Sequence, residues 1–236
     1  MKLSFRFVTG KLLLGVALLG TIATTMTATP AYAAWARSAS GQWASFAFGD
    51  WTVYQDEWGS SAACMLYANS YSNFATAGNW TGGGTKNYGH VQSKVLNTPI
   101  DSSKMTSSFD FSPPSGAVYD FMYDVWTQDM KDELIIIQKA TTSGNWGTQI
   151  ASNVTIGGRY YSSVWQASNG SNNVIIFSPG SMRTRGTEDL TAYFKWSKNR
   201  GLLHNNVVRE ISFGVEVTST KGWQQFTVNS FSASLG

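Results

Sequence analysis

Short apolar runs that alternate at period two, cut by clusters of turn-forming residues, recur along this chain. They constrain its fold more than any other feature. Tyr119–Trp126, Leu134–Ile137, Val174–Phe177, Ile211–Val217 and Phe226–Phe231 are rich in β-branched and aromatic residues, and Trp43–Tyr54 alternates in part. Between them lie Thr81-Gly82-Gly83-Gly84, Ser112-Pro113-Pro114-Ser115-Gly116 and Ser168-Asn169-Gly170-Ser171-Asn172-Asn173, which suit tight connections and poorly suit helices. One segment, Glu188–Asn199, has a helical pattern, with acids at its start, Lys195, Lys198 and Arg200 near its end and Gly201 as a stop. Many strands and one helix predict an all-β sandwich, not an alternating βαβ fold.

The first 33 residues fall outside that reasoning. Lys2, Arg6 and Lys11 form a basic start, Leu12–Leu19 a short apolar run, and Ala31-Tyr32-Ala33 a small-x-small site, the layout of a secretory signal peptide cleaved near Ala33. The apolar run is shorter than the roughly 20 residues that cross a bilayer. The mature form is therefore expected outside the cell and off the membrane. Residues 34–45 read as a weakly patterned tail, and 46–236 as one catalytic-size domain.

Removing the leader takes three of the 17 basic residues and leaves 14 against 14 acidic ones. With no basic run, neither nucleic acid nor an anionic surface is an expected partner, and a neutral ligand fits better. Cys64 is the single cysteine, and the two histidines, His90 and His204, stand in unrelated contexts. A thiol nucleophile or a metal site therefore lacks its partners; no cofactor is expected, and Cys64 reads as a small buried residue. Ten Trp and ten Tyr among many Gly, Ser, Thr and Asn exceed what one core needs. They suit a groove that stacks pyranose rings and hydrogen-bonds their hydroxyls.

Cleaving a glycosidic bond takes one carboxyl to protonate the leaving oxygen and another to attack or to activate water. An acid within an apolar strand is costly to place without a reason. In Ile211-Ser212-Phe213-Gly214-Val215-Glu216-Val217 the odd positions are apolar and Glu216 points the other way; Gly214 leaves room beside it. An ordinary exposed strand glutamate has the same pattern. Glu133 opens the apolar run Leu134–Ile137, either for chemistry or as a charge that guards a strand edge. Asp124 shares a strand face with Asp120, Met122 and Trp126 and either holds Glu133 in place or pairs with a lysine.

Five sets of residues stand out together: Trp51-Thr-Val-Tyr-Gln-Asp-Glu-Trp58-Gly59, Asn79-Trp80-Thr-Gly-Gly-Gly with Lys86-Asn-Tyr88, Tyr123-Asp124-Val-Trp126, Asp132-Glu133-Leu-Ile-Ile, and Phe213-Gly-Val-Glu216 with Phe226–Phe231. These segments resemble glycoside hydrolase family 12, small endoglucanases and xyloglucanases with a jelly-roll fold. They stand in family order from about residue 46 to the C-terminus. The resemblance implies two curved antiparallel sheets and a retaining, endo-acting, monomeric enzyme on β-1,4-glucan of the cellulose, mixed-linkage or xyloglucan type. It makes Glu133 the nucleophile, oriented by Asp124, and Glu216 the acid/base, with carboxyls roughly 5 Å apart. Trp58 and Trp80 would stack sugars, unless they are core, and Asp56, Met122, Trp126 and Ile135 complete the substrate-contacting set. Ile135, Ile137, Val217 and Thr218 depart from the family pattern by losing bulk near the cleavage point, and Cys64 lacks the family's disulfide partner. A jelly-roll xylanase, a glucan-binding protein without turnover and a structural sandwich remain as alternatives.

Overall fold

The computed structural model describes residues 34–58, 63–142, 144–170 and 172–235; the signal peptide assigned to 1–33 lies outside the described residues. The elements in chain order are β1 (Arg37–Ser40), β2 (Ser45–Phe48), β3 (Trp51–Glu57), β4 (Cys64–Ser70), β5 (Asn73–Gly78), β6 (Asn87–Ser93), β7 (Thr98–Pro99) and β8 (Met105–Ser112). They continue with β9 (Val118–Thr127), β10 (Asp132–Ala140), β11 (Thr148–Ile156), β12 (Arg159–Asn169), β13 (Asn172–Pro179), β14 (Arg185–Asp189), α1 (Leu190–Lys198), β15 (Val207–Ser219) and β16 (Gln224–Leu235).

Two sheets result. The smaller has the order β1-β4-β5-β16-β8-β14, and the larger β11-β12-β13-β10-β9-β15-β6-β3-β2, with β7 alongside β15. Pairing is antiparallel except for β10 with β13. Among the described residues this is the expected all-β sandwich with one helix.

The alternation read from sequence sets which face each residue takes. Ile211, Phe213, Val215 and Val217 on β15 are buried in the core, as are Phe121, Tyr123 and Val125 on β9 and Leu134 and Ile136 on β10. Phe109, Phe111 and Phe231 come from the smaller sheet to meet them: Phe111 stacks on Phe121 with centroids 3.8 Å apart, and Phe213 stacks on Phe231 at 5.5 Å. Each such ring contributes about 1.5–3 kcal/mol by leaving water, so this aromatic layer holds the two sheets face to face. Cys64 is a buried free thiol within it, as expected.

Two sequence expectations change. The stretch read as an N-terminal tail contributes β1, which pairs with β4 from Arg37↔Ala68 to Ser40↔Met65, and Trp35 stacks on Tyr67. The helix starts at Leu190, not Glu188. Asp189 is its cap, accepting from the Ala192 N–H at 3.2 Å. Glu188, the next-to-last residue of β14, is buried, ion-paired with Arg159 and Arg183 and bonded to Gln138 and Tyr193. An acidic pair before an amphipathic run signals a helix start, but here one acid serves the cap and the other a buried ion pair.

Candidate active site

On the larger sheet, the face turned away from the core carries the residues singled out for chemistry, and the strand registers arrange them in rows. One row runs Glu210 (β15), Trp126 (β9), Glu133 (β10), Val174 (β13). The next runs Thr52, Gln92, Ser212, Asp124, Ile135, Ile176, Trp165. Then come Tyr54, His90, Gly214, Met122, Ile137, and finally Asp56, Tyr88, Glu216, Asp120. Eight of the nine site residues expected from sequence are accounted for on or beside this face: Glu133, Glu216, Asp124, Asp56, Met122, Trp126 and Ile135 within the rows, and Trp58 just after β3.

Trp80 is the correction. Its ring is 0% exposed, packed in the core near Phe226, and a side-chain carbon at Gly78 would meet it at 2.5 Å. The space left by that glycine seats the indole between the sheets, where no sugar reaches it. Trp58, by contrast, is 42% exposed, its backbone N–H donates to the Lys86 carbonyl at 2.9 Å, and its ring meets the exposed Trp43 edge-on at 6.3 Å.

Glu133 and Glu216 flank β9 on one face, but they are not register neighbours. They stand two strands and three rows apart, about 20 Å along the strand direction on a flat sheet. Sheets coil and both side chains are long, and the carboxyls do interact. Burial, then the charge of Glu216, raises Glu133 to about 7. The acid directly beside Glu216 is Asp120, which sequence reasoning noted only as sharing a face with Asp124. Facing pairs of this kind have Cβ atoms about 4.5–5.5 Å apart. Asp120 is held well above the usual carboxylate range by burial and by Glu216.

Asp124 is the diagonal neighbour of Glu133, one strand and one row away. Burial, then the charges of Glu133, Glu216 and Glu210, hold it well above its ordinary value. Asp124 Oδ1 and Glu133 Oε2 are both buried without a hydrogen-bond partner, so the expected bond between the two is not formed by those oxygens. Glu216 accepts from the Thr85 hydroxyl at 3.2 Å, and burial still raises it. Four acids thus share one face, each raised above its ordinary value.

A cavity of about 290 Å³ opens against this cluster, lined by Asp120, Glu216, Ile135, Ile137, Ile176 and Trp146 together with Gly84, Thr85, Thr142 and Thr218. One side is therefore acidic and the other apolar. Ile137 and Ile176 continue as a small cluster with Val174, Trp146 and Trp165. Sequence reasoning missed Trp146, which sits in the β10–β11 connection, and Glu210, which faces Glu133 across Trp126. It also gave no role to His90, which stacks between Tyr54 and Tyr88 with centroids at 5.3 and 4.0 Å. Alternation marks Glu210 as sharing a face with Glu216, but nothing in sequence marks the Trp146 loop. Among the described residues no group of His, Cys, Asp and Glu is arranged to hold a metal, and no helix is long and apolar enough to cross a membrane.

No protein-family model matches the sequence, and no curated protein does. Solved structures do match. The xyloglucanase domain of NopAA, a type three effector from Sinorhizobium fredii solved with cellobiose, superposes with a TM-score of 0.80 at 23% identity, covering 85% of this chain and 99% of that one. Endoglucanase 3 of Trichoderma harzianum, from glycoside hydrolase family 12, gives 0.75 at 22% over 85% and 97%. A family 12 xyloglucanase from Bacillus licheniformis gives 0.75 at 19% over 85% and 100%. At these identities the likeness is one of fold: the chain has the jelly-roll sandwich of the family 12 glycoside hydrolases.

Proposed function

We propose that this protein is an exported glycoside hydrolase of the family 12 kind, cleaving β-1,4-linked glucan within the chain by a retaining mechanism. The observation that carries the reading is the acid cluster: a buried Glu133 and half-buried Asp124, Asp120 and Glu216 on one face of the larger sheet, the last two lining a cavity with an aromatic and aliphatic wall. Such a placement is costly for folding, and raised, coupled acids in a cleft mark sites of proton transfer. The fold shared with enzymes named as endoglucanases and xyloglucanases supports the same substrate class.

In this mechanism Glu216 is the acid/base. Burial raises it, which favours the protonated form that must donate to the leaving oxygen. Glu133 is the nucleophile, ionised once pH passes its raised value of about 7 or once Glu216 holds its proton and stops repelling it. Asp124, favouring its protonated form, can donate to Glu133 and orient it. The product half-reaction reverses the roles at Glu216, which accepts a proton from water as the glycosyl-enzyme breaks down. Trp58 stacks a sugar at the exposed end, while Asp56, Met122, Trp126 and Ile135 line the track. No cofactor enters, and one chain supplies every group.

One observation favours a second reading. The three-row offset between Glu133 and Glu216 exceeds what side-by-side carboxyls need, which suits a glucan-binding protein with little turnover. Reducing-sugar release from purified cellulose derivatives, mixed-linkage glucan, xyloglucan and arabinoxylan separates the cases. Release from a glucan, lost in Glu216→Gln, is expected. Release from arabinoxylan alone points to a xylanase, and glucan binding with no turnover above that of Glu133→Gln points to the binding protein.

A further inference from the structure

A second cavity, of about 740 Å³, opens on the other side of the larger sheet from the acids. Thr148, Gln166, Ser168, Asn172 and Asn173 line it, together with Gly147. Ladder register sets the side these residues take. Asn173 pairs with Asp132 and Ser168, and Gln166 pairs with Ile175 and Thr148. Ile175 belongs to the core and Asp132 alternates with Glu133 along β10, so Thr148, Gln166, Ser168 and Asn173 face away from Glu133. A ligand here does not compete with one at the acids.

A hydrogen-bond relay holds this lining in place. The fully buried Asp132 accepts from Asn173 Nδ2 at 3.0 Å, and Asn173 Oδ1 accepts from Gln166 Nε2 at 2.7 Å. Asn173 Nδ2 also donates to the Leu202 carbonyl at 2.8 Å. The Gln166 amide is thereby oriented before anything binds, which spares a ligand part of the cost of ordering it. Gly147 packs so closely on β12 that a side-chain carbon there would sit 2.3 Å from the Gln166 carbonyl oxygen. That approach brings the β10–β11 connection to both cavities, with Trp146 on the acid side and Gly147 on this one.

The chemistry of the lining selects its ligand. None of the described lining residues is charged or aromatic. An ion would give up hydration there without a counter-charge, and a flat apolar molecule would find no platform. Amides and hydroxyls both donate and accept, as sugar hydroxyls do, and the volume falls within the roughly 300–1,000 Å³ of small-ligand sites. β11 is the edge strand of its sheet, so a long polysaccharide can pass round that edge from one face to the other. We propose that this cavity is a second, non-catalytic saccharide site, which holds one neutral stretch of glucan while another lies at the acids. This inference rests on the proposed glucan hydrolase reading.

The test is a ¹H–¹⁵N amide NMR titration of the Glu133→Gln protein, chosen to suppress turnover, with cellotetraose and, in a second series, a xyloglucan oligosaccharide. Two sets of shifts are expected, each with its own saturation curve. One includes Trp58 and Thr85. The other includes Thr148, Gln166 and Ser168, with a Kd of about 1 mM, because hydrogen bonds without a stacking ring bind weakly. Gln166→Leu nearly keeps the side chain's size and removes its amide. It should weaken the second set about tenfold, the worth of one lost hydrogen bond, and leave the Trp58 set on its own curve. Ser168→Ala, at an exposed position, repeats the test without touching the relay. Saturation at Trp58 with no shift at Thr148, Gln166 and Ser168 overturns the second site alone, as does one common curve for both sets. A second set that keeps its affinity in both Gln166→Leu and Ser168→Ala overturns it too. Protein that shifts with neither saccharide overturns this inference together with the hydrolase reading.

Discussion

Asp132 and Glu133 follow one another on β10, are both buried, and titrate in opposite directions. Asp132 points inward. Its Oδ1 accepts from His204 Nδ1 at 2.7 Å and Asn173 Nδ2 at 3.0 Å, and its Oδ2 accepts from the backbone N–H groups of His204 and Asn205 at 2.7 and 3.3 Å. Burial works to raise it, but those donors outweigh burial and its carboxyl is held below the usual value. Glu133 points to the outer face, has one oxygen with no partner, and is raised to about 7 by burial and by Glu216. Burial alone therefore does not tell a structural acid from a chemical one. The donors supplied by the protein do: Asp132 is satisfied and ties the 202–205 segment to β10, whereas Glu133 is left to be satisfied by something that binds.

The contrast is broken most severely by exchanging the two acids' fates. Glu133→Gln is expected to lose at least a hundredfold in kcat on a soluble glucan, as is Glu216→Gln, with melting temperatures within a few degrees of wild type. Glu133 gives up no satisfied bond at Oε2, so the fold has little to lose. Near-normal turnover in either variant shows that the wrong carboxyl has been chosen, and Asp120 beside Glu216 then becomes the candidate. Asp132→Ala should do the reverse. It strips partners from His204, Asn173 and Asn205 and is expected to cost about 2–4 kcal/mol, read as a lower denaturant midpoint. Full stability in Asp132→Ala would mean that the anchor is ornamental.

These two acids also mark how far sequence reasoning reaches. Glu216 and Asp124 were legible because period-two alternation states which face a strand residue takes, and alternation survives whatever the neighbours do. Register is different. Asp120 and Asp124 alternate identically, and which of them stands beside Glu216 depends on where the β9–β15 ladder starts, which is a long-range property. The same ambiguity hid the offset of Glu133. The β9–β10 hairpin turns within Gln128–Lys131, with Met130 at φ +57°, so Glu133 pairs with Trp126, near the hairpin end, rather than with Asp120. Trp80 was given a sugar-stacking role by resemblance, with core packing as the alternative, and the core is where it lies because Gly78 leaves the space that seats its ring. Glu188 was misread because an acid before a helix and an acid in a buried arginine pair look alike until Arg159 and Arg183, distant in sequence, are brought to it.

A finer probe of the contrast is the titration of Glu133 itself. In Glu216→Gln a like charge is removed, so the charged form of Glu133 is penalised less and its midpoint should fall below about 7. Asp132, held by His204, Asn173 and Asn205 on the inner face, should not move. Carboxyl ¹³C shifts followed by NMR measure both at once. A Glu133 midpoint unaltered by Glu216→Gln would mean that the two carboxyls do not share one site.

The smallest expected effect is on stability against pH, and it follows from the same pair. Glu133 has a folded-state value raised above its unfolded one, so the stability it contributes is fully present below about 4.5, its ordinary value, and is lost as pH rises through about 7. Asp120, Asp124 and Glu216 are raised too and act in the same direction. Asp132 is depressed, so its contribution is present above its ordinary 3.8 and lost as pH falls through its lower folded value. Stability should therefore be greatest at mildly acid pH, where Asp132 is ionised and the outer-face acids are still protonated. The melting temperature is expected to drop by a few degrees from pH 5 to pH 8, and Glu133→Gln should shallow that slope because one of the acids being forced to ionise is gone. A profile that is flat over this range in the wild type, or a slope that Glu133→Gln leaves unchanged, would show that the outer-face acids ionise without resistance, and the distinction drawn between Asp132 and Glu133 would lose its physical basis.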